Sequence, residues 1–159
     1  MSAVRDAVTN LISAIESGTA LTRYGGTSAF VHEPRAYTID QLETHQQPTR
    51  RFIVLPAGDR ERDGRMGQPG NPEGVYETWV VTIAYRVGPN AHETRLVIAE
   101  DEQYLADRLE HPSLWGSPQT VQQRDVLAAA VEEPEGLSQG NVVLMDLPVR
   151  FKYRPTFSL

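Results

Sequence analysis

The sequence contains no cysteine, and this absence excludes several kinds of chemistry at once. A chain of 159 residues without cysteine has no disulfide, no thiol nucleophile and no cysteine-ligated zinc site. Its fold depends on packing and hydrogen bonds, and a single domain of this length buries about two thirds of the surface that its unfolded chain exposes. The composition fits a reducing compartment.

The sequence also lacks an excess of positive charge. Lys and Arg number 15 against 21 Asp and Glu, which gives a formal net charge of −6. Proteins that bind duplex DNA usually carry a basic stripe, because contacts with phosphates provide much of their affinity. The arginines between residues 50 and 65 are interrupted by acidic residues. This pattern favours a solvated mixed-charge segment over a nucleic-acid patch.

Long apolar runs are missing as well. No stretch approaches the roughly 20 apolar residues that a membrane-spanning helix needs. The first residues do not contain the continuous apolar run of a signal peptide. We therefore expect no membrane segment and no cleaved leader.

Motifs for catalysis and for metal or cofactor binding are not found. The histidines are His32, His45, His92 and His111. None has another histidine three or four residues away, so no helical metal pair is encoded. There is no G-x-S-x-G nucleophile elbow, and Gly25–Ser28 lacks the lysine of a phosphate-binding P-loop. The acidic clusters at 100–102 and 132–135 are typical of solvated faces. We expect no catalytic residue, no metal, no cofactor and no enzyme activity.

Two helices are predicted from hydrophobic periodicity. In the first, Val4–Ile15, apolar residues recur at helical spacing, with Ser2 as a cap and Gly18 as the end. The second covers residues 91–110 and ends before a proline. Its apolar stripe is thinner, which is compatible with a break near Ala99-Glu100.

Strands are predicted from period-two alternation of apolar residues. The predicted strands are 29–31, 37–39, Arg51–Leu55 ended by Pro56, 78–87, Val121–Val131 and Val143–Tyr153. Pro148 cannot donate a ladder hydrogen bond, which indicates an edge position or a bulge. The predicted fold class is α+β: a single domain, 1–159, with a mostly antiparallel or mixed β-sheet and two helices packed on one face of it.

Residues 56–74 contain eight glycines and prolines. This density argues against a regular helix or a central strand. We predict a long Gly/Pro-rich loop that projects from the sheet between two strands. Its arginines, Arg60, Arg62 and Arg65, are the predicted interaction residues, pairing with acidic groups of a neighbouring subunit or partner. The alternative interpretation is a surface insertion without a partner.

The order of these elements resembles that of the tail terminator proteins of long-tailed phages (siphoviruses), also called minor tail or tail completion proteins. The resemblance rests on the helix Val4–Ile15, the strand Arg51–Leu55, the long strand Thr78–Tyr85 followed by a helix near Ala99–Asp101, and the closing strand Leu144–Tyr153. It covers most of the chain. Neck and head–tail joining proteins share parts of this plan.

The resemblance implies a structural virion protein without enzyme activity or cofactor. Such a protein would form a ring, expected to have six subunits, at the head-proximal end of the tail tube, where it stops tube polymerisation. The implied partners are further copies of the chain, the tail tube protein and the head–tail connector or stopper, with DNA passing through the lumen without sequence-specific binding. The implied location is the virion, after assembly in the host cytoplasm. Two alternatives stay open: a head–tail stopper or adaptor, and a small ligand-binding α+β domain.

Overall fold

The structure is a computed structural model, and it describes residues 3–34, 39–63, 74–111, 121–133 and 138–153. The described helices are α1 (Ala3–Glu16), α2 (Ile39–Glu43) and α3 (Ala91–Glu110). The described strands are β1 (Thr19–Tyr24), β2 (Thr27–Ala29), β3 (Val31–His32), β4 (Arg51–Pro56), β5 (Glu61–Asp63), β6 (Gly74–Arg86), β7 (Val121–Val126), β8 (Ala130–Glu132) and β9 (Val142–Tyr153). The α+β class predicted from the sequence is confirmed, with three helices against a mixed sheet.

Two long antiparallel strands, β6 and β9, form the centre of the main sheet. They pair continuously from Val75 opposite Tyr153 to Arg86 opposite Val142. The strand order is β3-β4-β6-β9-β7, with β5 paired to β6 and β8 paired to β9. All of these pairs are antiparallel except β3 with β4.

The main core lies between the sheet and the helices α1 and α3. The alternating residues of the closing strand are all buried, as predicted: Val143, Met145, Leu147, Val149, Phe151 and Tyr153. Leu11 and Ile15 of α1 are buried in the same cluster, as are Leu105 and Leu109 of α3. Helix α3 is continuous, so the break considered near Ala99-Glu100 does not occur.

Helix α2 packs on the opposite face of the sheet. Its Leu42 is fully buried and forms a second, smaller cluster with Ile53, Ala84 and Leu144. The prediction of helices on one face only is therefore wrong. The strand predicted at 37–39 is also wrong at its last residue, which begins α2, while its first two residues lie outside the described ranges. A five-residue helix is too short to show a helical period in the sequence.

A separate hairpin of β1 and β2 packs beside α3. Gly25 and Gly26 form its turn, and both glycines have positive φ, 59° and 79°, as a tight type I′ hairpin turn requires. The amide of Thr19 donates a hydrogen bond to the Tyr104 hydroxyl at 3.0 Å and so ties the hairpin to α3. Strand β1 was not predicted, because Ala20 is its one buried residue and its alternation is weak.

The strand predicted at Val121–Val131 is interrupted. Strand β7 ends at Val126 and β8 begins at Ala130. Pro148 lies beside the interruption, and its carbonyl accepts a hydrogen bond from the amide of Leu127 at 2.9 Å. The proline nitrogen faces the same side of the strand and has no hydrogen to donate. Pro148 thus lies in a central strand rather than at an edge, and the irregularity falls on the neighbouring strand.

Candidate interaction surfaces

The segment 56–74 contains more regular structure than its Gly and Pro content predicted. Glu61–Asp63 form β5, which pairs with the first residues of β6. The carboxylate of Asp59 accepts hydrogen bonds from the Thr78 amide, at 2.9 Å, and from the Thr78 hydroxyl. The hydroxyl bond is the main reason that the pKa of Asp59 lies below its usual value. Strand β5 thus adds regular structure to one part of the predicted loop, and residues 64–73 of that loop lie outside the described residues.

The predicted interaction residues Arg60, Arg62 and Arg65 are placed only in part. Arg60 is exposed, and its guanidinium donates a hydrogen bond to the Tyr153 hydroxyl at 3.3 Å. Burial and a hydrogen bond to Glu77 raise the pKa of Tyr153 to about 12, so this hydroxyl stays protonated at neutral pH. Arg62 pairs with β6 through its backbone. Its side chain and the whole of Arg65 lie outside the described residues.

Further cations lie at the same end of the sheet, on its outer face. Arg150 and Lys152 approach the ring of Tyr76, at 4.5 Å and 5.3 Å from its centroid. Arg150 also forms an ion pair with Glu61 at 3.2 Å. The alternation of β9 could have identified both residues, since they stand opposite its buried face. Because Arg60 and Arg150 both have partners within the chain, this end of the sheet is not an uncompensated basic patch.

The outer edge formed by β7 and β8 includes an apolar, partly exposed stretch, residues 126–131. All three residues of β8 are exposed, and Leu127 and Val131 keep 45% and 42% of their surface accessible. From Val126 to Val131 the sequence contains no charged residue and no proline. Monomeric proteins usually protect a sheet edge with lysine, proline or a bulge, because an open edge pairs with another chain. Strand β7 has Arg124, Asp125 and a register irregularity between Val121 and Gln123, and the amides of Val126 and Ala129 donate to carboxylates of α3. The candidate interface is therefore the apolar stretch 126–131, through the exposed side chains of Leu127 and Val131.

The opposite edge has a different character. Strand β3 covers only the start of β4, so within the described ranges β4 has no partner on that side from Ile53 onward. The side chains near this edge are charged, and Arg51 forms an ion pair with Glu33 at 3.5 Å. The two edges are therefore chemically unlike. A contact between the edge of one copy and the other edge of the next copy is heterologous, and such contacts build rings or filaments.

A buried ion pair lies under the hairpin. Two guanidinium nitrogens of Arg50 donate to the two carboxylate oxygens of Asp101, at 2.8 Å and 3.0 Å. The Tyr85 hydroxyl donates to the same carboxylate at 2.7 Å, and a third Arg50 nitrogen donates to the Thr27 carbonyl at 2.7 Å. Burial and the charge of Asp101 raise the pKa of Tyr85 well above its usual value. Every polar group of this network is satisfied internally, which is the arrangement of a structural support for the hairpin.

The acidic cluster 100–102 is predicted from its sequence to lie on a solvated face, and this is wrong for Asp101. Its side chain is 1% exposed. Asp101 lies four residues after Val97 and four before Leu105, so it shares their buried side of α3. That four-residue spacing is the feature of the sequence from which the burial of Asp101 could have been predicted. The partner Arg50 could not be identified in advance, because only the tertiary fold brings it to α3.

A cavity of about 640 Å³ opens where the β1–β2 turn, the segment before β4 and the end of β6 meet. Its size falls within the range of about 300–1,000 Å³ that is usual for ligand pockets. No sequence motif identified this place, because its walls come from five separate segments of the chain.

No protein-family model matches the chain, and a search of curated proteins found no match. The function is therefore argued from the geometry of these surfaces and from the resemblance in the order of elements.

Within the described part of the chain, no group of three or more histidine, aspartate or glutamate side chains is arranged to hold a metal ion. None of the helices that the structure describes is both long and apolar enough to cross a bilayer. The surfaces that call for an explanation are thus the two sheet edges and the cavity.

Proposed function

We propose that this chain is a structural assembly protein that terminates the tail tube of a long-tailed phage. Copies of the chain join edge to edge in a ring, expected to have six subunits, at the head-proximal end of the tube. The ring stops tube polymerisation and provides the surface that joins the head–tail connector. The protein works without catalysis or cofactor and belongs to the virion after assembly in the host cytoplasm.

The observation that carries this proposal is the presence of two unlike open edges on one sheet. The β7–β8 edge contains the apolar stretch 126–131, with Leu127 and Val131 exposed, and the β3–β4 edge is short and flanked by charge. Pairing between unlike edges uses each surface once and leaves both satisfied when the ring closes. The resemblance in element order supplies the place of that ring, at the end of a tail tube.

The net charge supports the same proposal. A subunit with a formal charge of −6 repels the phosphate backbone at long range. DNA that passes through the lumen of such a ring is then not held by it. This agrees with a passage function and not with sequence-specific binding.

The proposal predicts that charge placed on the β7–β8 edge blocks assembly. The double substitution Leu127→Lys with Ala130→Lys puts two lysines on exposed positions of this edge. The stability of the folded subunit should change by about 1 kcal/mol or less, since both residues are on the surface. Electron microscopy of tails assembled with this variant should show no ring at the upper end of the tube and tubes of abnormal length.

A matched control is the double substitution Thr19→Lys with Leu21→Lys on β1. It adds the same charge at exposed positions, Leu21 being 71% accessible, on a strand outside the main sheet. Tails assembled with this control should be normal. Normal tails with the β7–β8 variant, or a ring that is lost equally in both variants, would contradict edge pairing.

A second prediction concerns residues 64–73. Replacing them with a short Gly-Ser link keeps Asp59 bonded to Thr78 and keeps β5 paired with β6, so the subunit should still fold. If this segment binds a neighbour or the tail tube, the variant should melt like the wild type but should fail to terminate tails. Tails of wild-type length from the shortened protein would show that the segment is an insertion without a partner.

Partner choice separates the terminator from a head–tail stopper or adaptor. A terminator should be retained by immobilised tail tube protein, whereas a stopper or adaptor should be retained by the connector alone. The Lys variants of the β7–β8 edge and of β1 provide the matched pair in both binding experiments. Retention by the connector alone would mean that the chain is a head–tail stopper or adaptor and not a tail terminator.

A further inference from the structure

The cavity at the end of β6 is lined by a set of side chains with one sign of charge. The described lining residues include two arginines, Arg51 and Arg86, and three glutamines, but no aspartate or glutamate. This is unexpected in a protein with a formal charge of −6. The cavity is therefore a local region of positive charge in an acidic molecule.

Only one of the two arginines is free to bind a ligand. The guanidinium of Arg51 donates a hydrogen bond to the Gln47 carbonyl at 2.7 Å and pairs with Glu33. Arg86 is exposed, and its guanidinium has no partner among the described residues. Within the described ranges, Arg86 is thus a cation without a counter-ion that borders a space of ligand size.

The backbone of Arg86 is held from both sides by other residues of the cavity wall. Its amide donates to the Thr49 hydroxyl at 3.2 Å, and its carbonyl accepts from the Tyr24 hydroxyl at 3.0 Å. The same Tyr24 oxygen accepts a hydrogen bond from the Gly88 amide at 2.8 Å. A binding group whose main chain is fixed by its neighbours loses less freedom when a ligand binds.

Two glycines leave room for Tyr24 and Thr49 at the backbone of Arg86. A Cβ atom at Gly25, which has a φ of +59°, would stand 3.1 Å from the Thr49 hydroxyl oxygen. A Cβ atom at Gly88 would stand 3.0 Å from the Tyr24 hydroxyl oxygen. Both distances are shorter than ordinary contacts. Larger residues at these positions would push apart the two groups that hold Arg86.

We propose that this cavity binds a carboxylate-bearing ligand through the guanidinium of Arg86. The planar fork of arginine matches the two oxygens of a carboxylate, and the amides of Gln46 and Gln139 line the same cavity as further donors. A single free cation balances one negative charge, which fits a carboxylate better than a phosphate group of charge about −2. The carboxylate comes either from an acidic side chain of a bound protein segment or from a small free acid.

The test is a titration of the ¹⁵N-labelled full chain followed by NMR. The amides of Gly25, Gly26, Gly88 and Gly140 line the cavity and serve as reporters. Three probes distinguish the ligand classes: the capped peptide acetyl-Ala-Ala-Glu-Ala-Ala-amide, butyrate, and inorganic phosphate. The same peptide with Gln in place of Glu is the matched control for the carboxylate.

We expect the Glu peptide or butyrate to shift these glycine signals saturably, and the Gln peptide not to do so. Tighter binding of the peptide assigns the site to a protein segment, and equal binding assigns it to a free acid. Arg86→Gln should weaken binding about tenfold or more, since it removes a charged hydrogen-bond donor. Arg95 is an exposed residue of α3 that does not line the cavity, so Arg95→Gln should leave binding unchanged.

Three outcomes would overturn this assignment. They are the absence of saturable shifts with both carboxylate probes, binding that persists in Arg86→Gln, and phosphate binding as tight as that of the carboxylates. The variant affects an exposed side chain, so a spectrum that otherwise matches the wild type shows that the fold is intact. The result does not depend on ring assembly, because the titration is done on the subunit.

Discussion

Replacing Asp101 with alanine should destabilise the protein by about 3–5 kcal/mol, the usual effect of removing one partner of a buried ion pair. Asp101 accepts three hydrogen bonds, two from Arg50 and one from Tyr85. Without it, the guanidinium of Arg50 is left buried with neither a counter-ion nor enough acceptors. Chemical denaturation of wild type and variant measures the difference.

A triple variant separates the unpaired charge from lost packing. Arg50→Met, Asp101→Leu and Tyr85→Phe together remove every charged and hydroxyl group of the network while keeping much of its volume. Apolar replacement of a whole buried pair is often nearly neutral, so the triple variant should be more stable than Asp101→Ala alone. Equal loss in both variants would mean that packing, and not the unpaired charge, decides the effect.

Replacing Phe151 with alanine should also cost about 3–5 kcal/mol, as for other fully buried phenylalanines. The side chain is fully buried, in the central strand β9, and its ring centroid lies 5.9 Å from the ring centroid of Tyr153. A thermal melt should fall by several degrees, because this loss is a large part of the 5–15 kcal/mol or so that stabilises a typical domain.

The neighbouring position provides the control. Arg150 stands on the opposite face of β9, partly exposed, with an ion pair to Glu61. Arg150→Ala should cost about 1 kcal/mol or less, as for other exposed ion pairs. An unchanged melt with Phe151→Ala, or a larger effect of Arg150→Ala, would mean that the two faces of the sheet are assigned the wrong way round.

The longest elements were predictable because their periods repeat many times. Helix α1 and the strands β6 and β9 each direct one set of residues into the main core, so apolar residues return at the helical or the two-residue spacing. The charges around Arg150 follow from the same alternation, whereas the exposure of Leu127 does not, because it lies in the interruption between β7 and β8. Pro148 indicated an edge position or a bulge, but β9 is a central strand whose pairing with β6 is continuous through Pro148, and the interruption falls on the neighbouring strand.

Short elements were not predictable in the same way. Helix α2 has five residues and strand β5 has three, and their formation depends on what they pack against. Strand β5 exists because β6 extends far enough to pair with it, in spite of the glycines and prolines nearby. Local propensity is weak over so few residues, and tertiary pairing overrides it.

The sequence by itself determined the α+β class, the period of each long element and the composition that excludes cysteine chemistry, because these depend on neighbours along the chain. Only the tertiary structure decided that Arg50 meets Asp101, 51 residues away, and that Tyr24, Thr49 and Arg86 form one cavity wall. Those contacts depend on which strands pair and on how the hairpin packs against α3. Side chains that are distant in sequence become one site only when the whole sheet has formed.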